Sequence, residues 1–213
     1  MHGSSLLIVF LASMLGGFYG TSAGGGGLVI MGSLILMGIS PKEAVPVVMA
    51  GGLGMCMVNW FVFHRAKNID YPLAWRLAVI VIIGSVIGTR ILISISDSMM
   101  NRIIAIAFVF ILLSVIFNKQ IGTISKHTSS RRKIVGTAVF GLLGIYLSLI
   151  NAGTAIFGNY VLATFFGKTF LESSGDRTII FTPGLLIGFI LYAVAGTLDW
   201  QLVAMTFVGA GLG

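Results

Sequence analysis

Charge is what this 213-residue chain has least of: thirteen Lys and Arg and six Asp and Glu make up 9% of it. A soluble domain carries about a quarter, so an ordinary water-facing surface is excluded. With one cysteine, Cys56, no intramolecular disulfide can form, and no His/Cys/Asp/Glu cluster has the spacing of a metal site. Three histidines, His2, His64 and His127, all lie near ends or loops. That weighs against GTSAG (20–24) as a hydrolase elbow, because G-x-S-x-G needs a strand before it, a helix after it and a histidine to follow. No Walker A sequence occurs either, which argues against ATP-driven pumping by this chain. Neither an enzyme nor a bound cofactor is expected.

What is abundant is grease and glycine. Apolar residues make up 57%, mean hydropathy is +1.05, and there are 29 glycines against four prolines. Apolar runs stand at about 5–20, 27–38, 44–63, 73–95, 103–117, 134–150, 155–167, 178–196 and 200–213. Most approach the ~20 residues that cross a bilayer. The runs at 27–38 and 155–167 reach only about 18–20 Å at 1.5 Å per residue, and whether they span or dip in and return is open at this point. The first run lacks the basic start and A-x-A site of a cleaved signal, so a retained helix is expected. The last run is still apolar at Gly213.

The positive charge is an orientation signal. Lys119, Lys126, Arg131, Arg132 and Lys133 crowd one loop; Arg65, Lys67 and Arg76 flank a second; Lys168 and Arg177 flank a third. If loop 118–133 is cytoplasmic, counting spans puts all three loops inside, with only Lys42, Arg90 and Arg102 outside. A net charge of +7 then reflects topology, and no nucleic-acid partner is expected.

The chain also contains itself twice. GGFYGTSAGGGGLVIMGSLIL, from Gly16, matches GIYLSLINAGTAIFGNYVLAT, from Gly144, with Gly25 on Gly153; NIDYPLAW (68–75) matches TLDWQLVA (197–204), with Asp70 on Asp199. Each Asp stands where an N-cap belongs. The span count puts Asp70 inside and Asp199 outside, so the halves are expected to be inverted copies. That plan recurs in transporters, with substrate near the midplane. The expected fold is an all-α polytopic membrane protein: a first transmembrane repeat at 1–117, a basic cytoplasmic linker at 118–133, and a second repeat at 134–213 lacking the counterpart of Ser85–Phe117.

The stretch TSAGGGGLV (21–29) raises the sharpest question, since four glycines unwind a helix and bare amides cannot face lipid. One reading makes the breaks at Ala23–Gly27 and Asn151–Thr154 helix starts aimed at an anion. Thr21, Ser22, Gly24, Gly25, Gly26, Gly27, Asn151, Gly153 and Thr154 would then be the substrate-binding set. The other reading is close helix packing through small residues. Arg90 either draws anions to the outer mouth or snorkels to headgroups, and Asn59 is expected to hydrogen-bond a neighbouring helix sooner than a ligand. Pro46 with Gly51, Gly52 and Gly54, and Pro183 with Gly184, are either hinges or static kinks.

GGFYGTSAGGGGLVIMGSLILMGISPKEAV (16–45), IDYPLAWRLAVIVIIGSVIGTRI (69–91) and the second-half stretches GLLGIYLSLINAGTAIFGNYVL and GTLDWQLVAMTFVGAGLG together resemble the sulfite exporter TauE/SafE family of membrane transporters. The likeness spans nearly the whole chain and departs where the second glycine motif thins to INAGTA. It implies secondary transport of small sulfur-containing or organic anions across the bacterial inner membrane, with a coupling ion left unnamed. An anion channel and a non-transporting membrane assembly subunit are the alternatives.

Overall fold

A computed structural model describes residues 3–22, 24–117 and 128–213, and all regular structure among them is helical. Lys119, Lys126 and His127 of the basic linker, His2, and Ala23 of the first break lie outside the described residues. The helices are α1 (Gly3–Ser22), α2 (Gly26–Leu36), α3 (Pro41–Arg65), α4 (Tyr71–Ser94), α5 (Asp97–Phe117), α6 (Ser130–Leu149), α7 (Thr154–Phe166), α8 (Phe170–Val194) and α9 (Trp200–Leu212). Among the described residues five of them, α1, α3, α4, α6 and α8, are long and apolar enough to cross a membrane. Leu11, Leu15 and Phe18 of α1, Val58 and Phe61 of α3, and Val79 and Ile83 of α4 are exposed. Exposed apolar faces on this scale suit hydrocarbon rather than water. The chain is a multi-pass membrane protein.

The short helices fold back. In α1, Gly16 and Gly20 press against Ile30 and Gly26 of α2, so the pair is an antiparallel hairpin. Gly136 of α6 packs on Phe165 and Phe166 of α7 in the same way. Each short helix, Gly26–Leu36 and Thr154–Phe166, thus follows a break and packs back on the helix before it.

Backbone conformation recurs along the chain at one constant spacing. Gly24 and Gly153, Gly38 and Gly167, and Lys67 and Gly196 all have positive φ, and each follows or precedes a helix in the corresponding place. Ser40 and Thr169, and Asp70 and Asp199, cap the corresponding helix starts. By left-handed conformation Gly153 corresponds to Gly24, and by its place as N-cap it corresponds to Gly25, as aligned. Packing follows the same exchange: α4 lies on α6 and α8, while α9 lies on α1 and α3. A Cβ on Gly84 or Gly88 would run into the carbonyls of Gly141 or Ile145 on α6. One on Gly54 would strike the carbonyl of Phe207 on α9. Small residues buy backbone approach where no hydrophobic drive separates helix from lipid.

Two loops meet at one end. Lys168 Nζ donates to Asp70 Oδ2 at 2.9 Å, and the Asp70 backbone N–H donates to Asp176 Oδ1 at 2.6 Å. At the other end a cleft is lined by Ser40, Lys42, Asp97, Asp199 and Trp200. Helix α3 begins beside Lys42 and finishes just before Asp70; its 25 residues run about 37 Å. Asp70 and Asp199 therefore lie at opposite ends of the bundle. Pro46 and Pro183 sit inside α3 and α8, which continue through them.

Partial burial alone would raise the Asp70 carboxyl, but hydrogen bonds from Lys168 and the Leu73 N–H, with the charges of Lys168 and Arg76, hold it below its ordinary 3.8. Burial works against the Lys168 ammonium, yet Asp70 and Asp176 raise it above its ordinary 10.5. The stabilisation from a lowered carboxyl is complete above its unfolded value and is lost as pH falls through the folded one; that from a raised ammonium is complete below its unfolded value and is lost as pH rises. Asp70→Asn should therefore lower the melting temperature near pH 7 and flatten the acid side of the stability profile, as read by a thermal melt in detergent. Gly88→Val should cost about 1–3 kcal/mol by overpacking, seen as a lower melting temperature; an unchanged melt would contradict the close α4–α6 approach.

Candidate functional site

The two breaks are built differently. In the first, Gly24 takes φ +83°, a conformation that costs glycine little and L side chains much. Its N–H closes back on the carbonyls of Tyr19 and Gly20. In the second, Asn151 takes φ +59° and Gly153 φ +78°. Asn is among the few side-chain-bearing residues that visit this region readily. The Thr154 hydroxyl donates to Asn151 O at 2.9 Å, and Tyr146 Oη donates to Ala152 O at 2.6 Å, so the carbonyls freed by the break are answered locally. The starts of α2 and α7 have Gly25 and Gly153 as N-caps, and neither has a side-chain cap bond. In the first turn of α7 the Thr154 N–H reaches Asn151 O at 3.4 Å and the Ile156 N–H turns back on Gly153 O, and in α2 the Leu28 N–H turns back on Gly25 O. A helix start still carries about half a positive charge.

These starts lie against one another. A Cβ on Gly24 would be 3.1 Å from the Ile156 nitrogen, and one on Gly27 would be 3.2 Å from Asn151 O. Gly26 is held instead by its own hairpin, since a Cβ there would overlap the Gly16 carbonyl. Gly25 faces nearly open space, its nearest neighbour being the tip of Ile156 at 4.0 Å. The glycine run thus serves close packing and backbone access together, at different positions.

Beside the paired starts is a cavity of about 70 Å³, enough for a few waters or one small polyatomic ion. Gly24, Gly26, Gly27, Asn151 and Thr154 line it, with Val48, Gly52, Met55, Cys56 and Asn59 of α3 and Arg177, Thr178, Phe181 and Leu185 of α8 among the other walls. Gly25 and Gly153 stand at the two helix starts without lining it. Thr21 and Ser22 are exposed; the Thr21 hydroxyl donates to Asn59 Oδ1 at 3.1 Å, and Ser22 Oγ donates to Phe18 O at 2.7 Å. Asn59 accordingly ties α3 to the end of α1.

Arg177 is the residue that reading by spans misplaced. Counted as a positive at the edge of a loop, it lies two turns inside α8 and is 5% exposed. The run FLESSGD before it looks like a polar loop, but a capping box starts the helix: Thr169 Oγ1 accepts from the Glu172 N–H while Glu172 receives the Thr169 N–H. Arg177 Nη2 donates to Gly20 O at 2.8 Å, at the last turn of α1, and Arg177 Nε has no hydrogen-bond partner among the described residues. No carboxylate pairs with it among them. A buried guanidinium with unused donors and no counter-charge is costly unless something anionic completes it. The signal that could have found it is the S/T-x-x-E of TFLE (169–172), a helix start rather than a loop.

The chain matches the family described as sulfite exporter TauE/SafE over residues 9–213. It is similar to a probable membrane transporter protein of Haemophilus influenzae, 23% identical over 212 residues, which cover 98% of this chain and 83% of the relative. A probable membrane transporter protein, ORF9, of a Sinorhizobium species is 19% identical, covering 98% and 80%. The probable membrane transporter protein YfcA of Escherichia coli K12 is 20% identical, covering 97% and 77%. No solved structure matches the chain. A match over nearly its whole length, on a helical membrane fold, makes this chain a member of the TauE/SafE family of membrane transporters.

Proposed function

We propose that this chain is a secondary transporter of small anions, sulfur-containing or organic, across the bacterial inner membrane, and that the cavity beside the broken helices is its substrate site. The observation that carries the reading is Arg177, a buried cation without a carboxylate partner among the described residues, in one cavity with the starts of α2 and α7, which have no side-chain cap. Three sources of positive potential converge on a space of small-ion size, in surroundings that screen charge weakly. Asn151 and Thr154 add polar side chains to the same wall. Gly24, Gly26 and Gly27 contribute backbone, while Thr21 and Ser22 support the break from outside the cavity. No catalytic role is assigned to any of these residues.

The halves 1–117 and 134–213, joined by a cytoplasmic linker at 118–133, are read as inverted repeats. The constant spacing of positive-φ residues and caps supports this, as does the placing of Asp70 and Asp199 at opposite ends. An inverted pair supplies the two equivalent ways of opening that alternating access needs. Reporter tags beside Asp70 and Asp199 should be found in opposite compartments, with the Asp70 side cytoplasmic; the same compartment for both would end the reading.

Sulfite, sulfate, thiosulfate and sulfoacetate, screened by thermal shift on the purified protein, should include at least one that raises the melting temperature. At a hundred times the dissociation constant a ligand stabilises by about 2.7 kcal/mol. Arg177→Gln should weaken that ligand tenfold or more, as befits a charged hydrogen bond of about 1.5–3 kcal/mol, whereas Gly25→Ala, in open space, should leave it unchanged. Saturable counterflow in proteoliposomes distinguishes a carrier from a channel. An anion response that survives Arg177→Gln intact would remove this cavity as the site.

A further inference from the structure

The residue before Arg177 is a second buried ionisable group, and it belongs to a different cluster. Asp176 is fully buried. Its Oδ1 accepts the Asp70 backbone N–H at 2.6 Å, while its Oδ2 has no hydrogen-bond partner among the described residues and lies 3.4 Å from Lys168 Nζ. The same ammonium is held more closely by Asp70, at 2.9 Å. One lysine therefore answers two carboxylates, and the better-placed of the two is the exposed one. The remaining charged groups around this cluster do not redress the balance. On α4, Arg76 acts on Asp70, and on α8, Glu172 adds a third carboxylate engaged with Thr169. From α7, Asn159 donates to Ser174 and contributes no charge. The α3–α4 turn contributes the Asn68 carbonyl, against which a Cβ on Gly175 would collide.

With Asp70 held below its ordinary value and Lys168 above its own, those two stay charged across the physiological range. The unbalanced negative charge falls on Asp176. We propose that Asp176 is a proton-binding site, and that a proton taken up there from water at the Asp70 end frees Lys168 from α8 and loosens the tie between α8 and the start of α4. The cluster sits where movement of that end would matter. Asp176 immediately precedes Arg177, which lines the cavity, and the same helix is pressed on the α3–α4 turn at Gly175. A proton on Asp176 also removes a negative charge from the neighbour of the cavity's guanidinium, so proton and anion load together. That coupling rests on the anion reading of the cavity; the proton site itself does not.

Cys56, the single thiol, lines the cavity and reports on its accessibility. In lipid nanodiscs at one fixed pH, without any anion, Asp176→Asn and Lys168→Gln should each speed Cys56 alkylation by a membrane-impermeant maleimide several-fold over the unaltered chain. In pH-difference infrared spectra, a protonated-carboxyl C=O band should titrate in the unaltered chain and vanish in Asp176→Asn. In Lys168→Gln, which keeps the carboxyl, that band should persist and titrate at higher pH. A band that survives Asp176→Asn overturns the proposal, as do wild-type alkylation rates in a folded Lys168→Gln. Sulfate protection of Cys56 tests the cavity separately. Its absence beside an intact titrating band would overturn the anion reading while upholding the proton site.

Discussion

A backbone amide without a partner cannot face hydrocarbon, and this chain interrupts its apolar helical runs twice, between α1 and α2 and between α6 and α7. The structure meets that constraint by bringing the breaks together. Gly24 and Gly27 of one lie against Asn151, Ala152 and Ile156 of the other, and the freed carbonyls are answered by Thr154, Tyr146 and Arg177. The starts of α2 and α7 border a cavity, and part of their first-turn donors turn back on Gly25, Asn151 and Gly153. Everything else in the fold serves this meeting. The hairpins α1–α2 and α6–α7 deliver the breaks, α3 and α8 wall the cavity, and α4 and α9 cross over to clamp the opposite half.

The clamp explains where the glycines are. Gly84 and Gly88 let α4 onto α6, and Gly54 lets α9 onto α3, each at a point where a methyl group would overlap a carbonyl. In water, burial of leucine would hold such helices together; in lipid, contact between backbones has to do more of it. The glycines at 24 to 27 differ among themselves. Gly26 packs its own hairpin, Gly24 supplies a left-handed turn, Gly27 admits the second break, and Gly25 is close to unconstrained. Asking whether the run is for packing or for a site thus divides by position.

Much of this was legible in the sequence. Hydropathy gave the membrane and the run boundaries, and breaks in apolar runs gave the two short helices. Asp70 and Asp199 declared themselves as caps through their place before aromatic-led apolar runs. What stayed hidden has a common cause. Hydropathy reads polar residues as loop, so 168–177 scores as a loop, whereas Ser173–Arg177 lie buried in the first half of α8. The cost of burying Asp176 and Arg177 is offset only by residues far away in the chain, Asp70 and Lys168 for one and Gly20 for the other. No local pattern carries that information. That Gly153 combines the left-handed turn of Gly24 with the cap position of Gly25 was hidden likewise, because adjacent glycines look alike until φ distinguishes them.

The central claim is that a small anion sits between Arg177 and the paired helix starts. Selenite, a heavier relative of sulfite, provides the direct test, because anomalous scattering locates selenium without reference to the protein density. Crystals of the unlabelled protein grown in lipid with selenite should show a single anomalous peak within hydrogen-bond distance of the Arg177 guanidinium and bordered by Gly27 and Thr154. Selenium found only at the surface, with the Arg177 cavity empty at saturating selenite, would contradict the account.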